Sequence, residues 1–296
     1  MIGILIKVIA GFCYVEAGET IYECKPRGNM RRNGGNILAG DTVEFSLLNN
    51  GKGVVEKIIP RKNSLVRPPV ANVDRLYIIS SQNIPSPNSL IIDRLTAIAV
   101  SKGIEPIIVF NKSDMGDLKE WQDIYESAGF KTFVVSAKTG EGINEFKDFV
   151  INGEGISVFT GNSGVGKSTL LNLIFPSLNL DTGEVSEKLG RGRHTTRKVE
   201  LFKLPKGYIA DTPGFSSIDL EKCEVILKDE LAECFSEFRD YIYDCKFSSC
   251  SHTGEKGCAL GEALKEGKIC KSRYESYKAL YDEIKDIKEW ELKTKK

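Results

Sequence analysis

Gly161 to Ser168 reads "GNSGVGKS", the spacing G-x-x-x-x-G-K-[ST], between an apolar run of strand length, "ISVFT", and a helical pattern, "STLLNLIF". Glycines at those positions let backbone N–H groups curl around a β-phosphate. Lys167 sets a point charge against the β and γ oxygens, and the Ser168 hydroxyl is a ligand for Mg²⁺. The expected phosphate-side set is Gly161, Asn162, Ser163, Gly164, Val165, Gly166, Lys167, Ser168 and Thr169. Further along, "DTPG" (Asp211 to Gly214) ends another strand-like run. There the Asp211 carboxylate would hold Mg²⁺ through water, and the Gly214 N–H would meet a γ-phosphate.

Two more tetrapeptide-scale signals end successive apolar runs upstream: "NKSD" (Asn111, Lys112, Ser113, Asp114) and "SAK" (Ser136, Ala137, Lys138). A carboxylate at Asp114 can accept hydrogen bonds from the N1–H and exocyclic amine of guanine. Adenine does not present those groups and would leave the carboxylate unpaired. The Ala137 N–H is expected at the guanine O6. Each signal alone reads equally well as a polar loop at a strand end; together, beside a phosphate loop, they point to GTP and GDP. The base motifs precede the phosphate loop, an order that resembles a circularly permuted GTPase. Joining nearby termini and opening a surface loop leaves the core contacts of such a domain intact.

Between the phosphate loop and "DTPG" lies "GRGRHTTRK", Gly190 to Lys198. A switch threonine must complete the Mg²⁺ shell, and Thr195 or Thr196 can serve, Thr195 being preferred. Many GTPases follow D-x-x-G with a water-positioning glutamine, but here that position is Phe215. His194 is the candidate to align the water, since a neutral imidazole can accept a proton at physiological pH. The competing reading makes His194 an RNA contact in a loop whose Arg191 and Arg193 suit phosphates. A second basic loop, "KPRGNMRRNGG", carries Lys25, Arg27, Arg31 and Arg32; it is either a solvated hairpin or a grip on an RNA backbone.

The spacing Cys245-x4-Cys250-x-His252-x5-Cys258 supplies three thiolates and one imidazole, with glycines between them for tight turns. That set satisfies tetrahedral Zn²⁺ and leaves no open position, so one structural zinc is expected. Cys234 and Cys270 are spare thiols.

The chain that carries these motifs has 296 residues, 41% hydrophobic and 28% charged, enough for two or three compact domains. Its formal net charge is +0, so RNA affinity must come from local basic clusters rather than a global field. The apolar N-terminus, "MIGILIKVIAGFCYV", reads as a strand; Lys7 interrupts it, and neither a cleavage site nor a membrane span follows. Residues 1–67 alternate short β-rich runs with turn signals, as a small barrel or sandwich does. Residues 68–222 alternate strand and helix patterns, which argues an open, mostly parallel sheet covered on both faces, with ligands beyond the carboxyl ends of the strands. In residues 223–296, "VILKDELAECFSEFRDYI" and "KSRYESYKALYDEIKDIKEWELK" read as helices around the cysteine cluster. The expectation is a cytoplasmic multidomain protein, taken as a monomer, with no membrane association.

The whole arrangement resembles the ribosome small-subunit-dependent GTPase A family (RsgA, also called YjeQ or YloQ). That resemblance implies an N-terminal OB-like RNA-binding barrel, a circularly permuted GTPase and a C-terminal helical domain with a zinc knuckle. It also implies late maturation of the 30S ribosomal subunit, contact with its 16S rRNA, and GTP hydrolysis stimulated by the subunit. His194, followed by Thr195 and Thr196, and Phe215 after D-x-x-G match the family's pattern.

Overall fold

The structure is a computed structural model that describes residues 1–28, 36–48, 51–176, 199–211 and 224–287. Its first layer is a five-stranded barrel: β1 (Ile2–Ile9), β2 (Phe12–Ala17), β3 (Thr20–Pro26), β4 (Thr42–Leu47) and β5 (Gly53–Ile58). The order is β1-β2-β3-β5-β4, and β4 closes back on β1. β3 and β5 run parallel; the other pairs are antiparallel. The apolar N-terminus, expected as one strand, is two. It turns at Ala10 and Gly11, whose φ values of 49° and 83° suit the tight hairpin that matches strand twist. Alternate residues then fill one barrel core, with Leu5, Cys13, Val15, Cys24, Val43, Phe45 and Val55 buried.

A two-stranded ribbon, β6 (Ser64–Leu65) with β7 (Val70–Ala71), leads into the central sheet. That sheet contains β8 (Val73–Ser81), β9 (Glu105–Asn111), β10 (Lys131–Val134), β11 (Gly155–Gly161), β12 (Glu200–Lys203) and β13 (Gly207–Asp211). In the order β10-β9-β8-β11-β13-β12 every pair is parallel except the last. Sequence patterning did not single out β12. It also pairs with β1 at Lys7 and Glu200, so barrel and central sheet form one hydrogen-bonded run of strands.

Helices cover both faces, because successive β8, β9 and β11 residues are buried on opposite sides. On one side Leu76, Ile78, Ile108 and Phe110 meet α1 (Ser89–Ser101) and α2 (Lys119–Ser127). On the other, Tyr77, Ile79, Val109 and Phe159 meet α3 (Ile143–Ile151) and α4 (Lys167–Ile174).

The C-terminal module holds α5 (Lys228–Leu231), α6 (Ala259–Lys265) and α7 (Lys271–Ile284). The first long helix expected there is broken. After Leu231 the chain tightens into 3-10 turns at Ala232–Cys234 and Ser236–Phe238, with Phe235 extended between them. The Phe235 and Phe238 rings stack at 4.9 Å and both meet Tyr277 edge-on. Ring packing against α7 thus outweighs an unbroken helical ladder.

Candidate functional site: a guanine-nucleotide site and a cysteine-histidine cluster

The carboxyl ends of β9, β11 and β13 bring the widely spaced motifs together. The phosphate loop leaves β11 at Gly161 and enters α4 at Lys167. A side chain at Gly161 would strike the Ile79 carbonyl at 2.5 Å, and one at Gly166, whose φ is +86°, would strike Asn111 Nδ2 at 2.5 Å. Both close approaches need glycine, and the first turn of α4 that follows has backbone N–H groups without intrahelical partners. Val165 is buried beneath it, while Ser168 and Thr169 start the helix. Asp211 ends β13, opposite Glu200 in the register.

Asn111 does something the sequence did not reveal. It is buried, donates from Nδ2 to the Val165 carbonyl at 2.9 Å, and accepts the Ala137 N–H on Oδ1 at 3.1 Å. One side chain therefore fastens the phosphate loop to the "SAK" loop. The Ala137 N–H expected at guanine O6 is directed at Asn111, so a guanine carbonyl would have to share it. Lys112, in the left-handed region, lies across the outside of the phosphate loop and donates to the Gly164 carbonyl at 2.6 Å and the Ile84 carbonyl at 3.1 Å.

Asp114 sits on an exposed stretch of backbone, while 15% of its side chain is exposed. Ser136 Oγ donates to Oδ1 at 2.6 Å, and the mostly exposed Lys138 ammonium stands 3.7 Å from Oδ2. The Ser136 hydrogen bond, aided by Lys138, holds this carboxyl below the usual carboxylate range. It stays an anionic double acceptor, which is the chemistry guanine recognition requires. Ser136 is itself fixed by the Thr139 N–H at 3.1 Å, and Ser113 donates to Glu141 at 2.9 Å. Glu141 is a residue that sequence reading missed; its signal is its place just after "SAKTG".

Thr195, Thr196, His194, Arg191, Arg193, Gly214, Phe215 and the Asp211 side chain lie outside the described residues, as do Arg31 and Arg32. On the barrel, Lys25 stands over the Phe12 ring at 5.2 Å, and Arg27 is paired with Glu56 at 2.6 Å. Arg27 is thus partly neutralised by its neighbour.

The cluster Cys245, Cys250, His252 and Cys258 is assembled with all four ligand atoms within 4.8 Å of one another. Cys245 Sγ lies 3.4 Å from His252 Nδ1 and 4.0 Å from Cys258 Sγ, and Cys258 Sγ lies 3.7 Å from Nδ1. A tetrahedral ion with Zn–S near 2.3 Å and Zn–N near 2.0 Å has edges of about 3.5–3.8 Å. The donor set and its spacing therefore fit zinc, with Nδ1 as the imidazole ligand. Burial pushes the Cys250 thiol up to about 12 and keeps His252 neutral by lowering its pKa. A bound cation would reverse the thiol shift by favouring thiolate. Glu255, unmarked in the sequence, ties this loop together by accepting the N–H groups of Ser251 (2.8 Å), Thr253 (2.9 Å) and Gly254 (3.1 Å). Burial would raise its carboxyl, but those bonds and the Ser251 hydroxyl pull it down to about 2.

A phosphate loop at the end of β11, a guanine-type carboxylate two strands away on β9, and the base motifs first in the chain define a circularly permuted GTPase. Comparison with known proteins then fixes the family. Residues 58–221 match the RsgA GTPase model and residues 2–55 the RsgA N-terminal domain model. The chain belongs to the RsgA GTPase family. It is 44% identical over 288 residues to the small ribosomal subunit biogenesis GTPase RsgA of Caldanaerobacter subterraneus subsp. tengcongensis, covering 96% of both chains. With the protein of the same name from Streptococcus pneumoniae it is 43% identical over 305 residues, covering 100% of this chain and 99% of the other. Among solved structures, YjeQ from Thermotoga maritima superposes with a TM-score of 0.80 at 35% identity over 97% of this chain and 99% of that one. YloQ, described as a circularly permuted GTPase, gives 0.79 at 32% identity over 97% and 96%.

Proposed function

We propose that this protein hydrolyses GTP to GDP and phosphate while bound to the small ribosomal subunit, whose biogenesis it assists. The observation that carries this is likeness along the full length to proteins named for that role, joined to a phosphate loop that Asn111 and Lys112 tie to the base-side loops. Lys167 and the α4 amides hold the phosphates, Asp114 reads guanine through its ionised carboxylate, and Ser168 with Asp211 and Thr195 would hold Mg²⁺. Bound Mg²⁺ would neutralise charge developing between the β- and γ-phosphates. His194 is the residue to align the attacking water, since Phe215 cannot. The cysteine-histidine cluster would hold one structural zinc. Residues 1–67, 68–222 and 223–296 act as barrel, nucleotide domain and zinc domain. Lys25, Arg27, Arg31 and Arg32 on one side, with Arg191 and Arg193 on another, would contact 16S rRNA in the cytoplasm, the protein acting as a monomer. Phosphate release is the test, measured alone, with small subunits and with large subunits. Stimulation by small subunits only is expected. Stimulation by large subunits would move the protein to another assembly pathway, and no turnover under any condition would leave GTP as a structural ligand.

A further inference from the structure

Arg273 on α7 is among the largest fully buried side chains described. Its Nη1 donates to Asp93 Oδ1 at 2.6 Å, and Nε and Nη2 form a fork on Glu237 at 2.7 and 3.0 Å. The guanidinium also faces the rings of Phe235 at 4.6 Å and Phe130 at 5.2 Å. Asp93 lies on α1 of the nucleotide domain, while Glu237 and Phe235 belong to the C-terminal module. The neighbouring residues of α1 are gripped as well: Arg94 pairs with Glu283 at 2.7 Å, and Lys102, just beyond the helix, pairs with buried Glu224 at 2.9 Å.

One turn along α7 from Arg273, the Tyr277 hydroxyl donates to the Ser251 carbonyl within the cysteine-histidine loop, at 2.7 Å. At the other end, α1 begins at the Asn88 cap, whose side chain accepts the Ile91 N–H. The segment before it lines a cavity of about 20 Å³ together with Gly161, Asn162 and Val165 of the phosphate loop. Lys112 joins that segment to the phosphate loop through the Ile84 and Gly164 carbonyls. A continuous set of packed and hydrogen-bonded groups thus runs from the phosphate loop through α1 and Arg273 to the metal loop.

We propose that Arg273 is the coupling residue between nucleotide and C-terminal module: nucleotide occupancy steadies the phosphate loop and α1, and the Arg273–Asp93–Glu237 cluster passes this to α7 as tighter docking. A buried ion cluster suits this role because parting it leaves charges that must be re-paired or hydrated, so a partly opened state is costly. Linkage requires reciprocity: the factor by which GDP favours docking is the factor by which docking favours GDP.

The inference rests on the nucleotide-site reading, and its test separates the two. Amide hydrogen exchange of residues 271–284 is followed in the zinc-loaded full chain with and without GDP, beside a direct GDP titration. In the wild type GDP should slow exchange in α7 on the order of fivefold. In Glu237→Gln, and in Arg273→Met, that GDP-dependent difference should vanish and GDP should bind weaker by the same factor. Glu237→Gln decides alone if Arg273→Met does not fold. A purely structural role would instead speed exchange equally with and without GDP. That result, or a wild-type α7 indifferent to bound GDP, or a response that survives in Glu237→Gln, overturns the proposal. Failure of the wild type to bind GDP at all would overturn the nucleotide-site reading.

Discussion

Replacing Asn111 by alanine should remove the fastening between the phosphate loop and the base-side loop. The side chain is 1% exposed and makes two hydrogen bonds, to the Val165 carbonyl and from the Ala137 amide. Truncation leaves both backbone groups without that partner, at about 1–3 kcal/mol each when water cannot reach them. The nucleotide site opens to solvent on one side, so the lower half of that range applies, roughly 2–4 kcal/mol in total. Both loops belong to the nucleotide site, so the loss should appear mainly as weakened binding. At 1.4 kcal/mol per decade, guanine-nucleotide affinity should fall by about 30-fold to 700-fold. Titration with a fluorescent GDP analogue reads this directly, with thermal melting alongside to show that the core persists. Asn111→Asp should do no better: it keeps the acceptor for Ala137 but sets a carboxylate against the Val165 carbonyl. Affinity within about threefold of wild type, in a protein that melts normally, would refute the bracing role.

Gly166→Ala should act on the same brace from the other side. A residue with a Cβ is strained by about 1–2 kcal/mol at φ +86°, and the new methyl group collides with Asn111 Nδ2, so GDP affinity should drop at least tenfold in the same titration. Because the folded pKa of Asp114 is depressed, its carboxylate remains ionised as pH falls from about 8 to about 5, and GDP affinity should stay flat across that window as far as this residue decides it. Ser136→Ala removes the leading cause of the depression, so the acid-side loss of affinity should begin at a higher pH than in the wild type. A strong chelator should release about one zinc per chain, read with a metallochromic dye, and lower the melting temperature of the C-terminal module while GDP binding persists in weakened form. Zinc release without any change in melting would contradict a structural role.

Much of the fold was legible because it rests on local rules. Period-two runs marked the barrel strands, and apolar runs followed by glycine or polar tetrapeptides marked β8, β9, β11 and β13. The base set and the cysteine-histidine cluster were legible because their chemistry depends on residue type at short spacing. β12 was not, since four residues with one buried side chain, Leu201, carry little pattern and gain their place by pairing with β13 and β1. Nor was the break at Phe235, where the winner is a ring stack on a helix more than thirty residues away.

The sequence alone marks the candidate chemistry: a phosphate-loop spacing, a carboxylate suited to guanine, and a Cys3His set suited to a metal ion, each set by side-chain type within a few positions. It also determined the order of the motifs, and from it the permutation. Only the tertiary structure decided what fastens these parts. Asn111 and Val165 are 54 residues apart, and Arg273 and Asp93 are 180 apart. No spacing rule links such positions, because their meeting depends on how the whole sheet and its helices pack. An asparagine in "NKSD" reads as a base contact, and only the fold shows that it also braces two loops. An arginine in a polar helix reads as solvated until three aromatic rings and two carboxylates close around it, where leaving any of them unpaired is too costly.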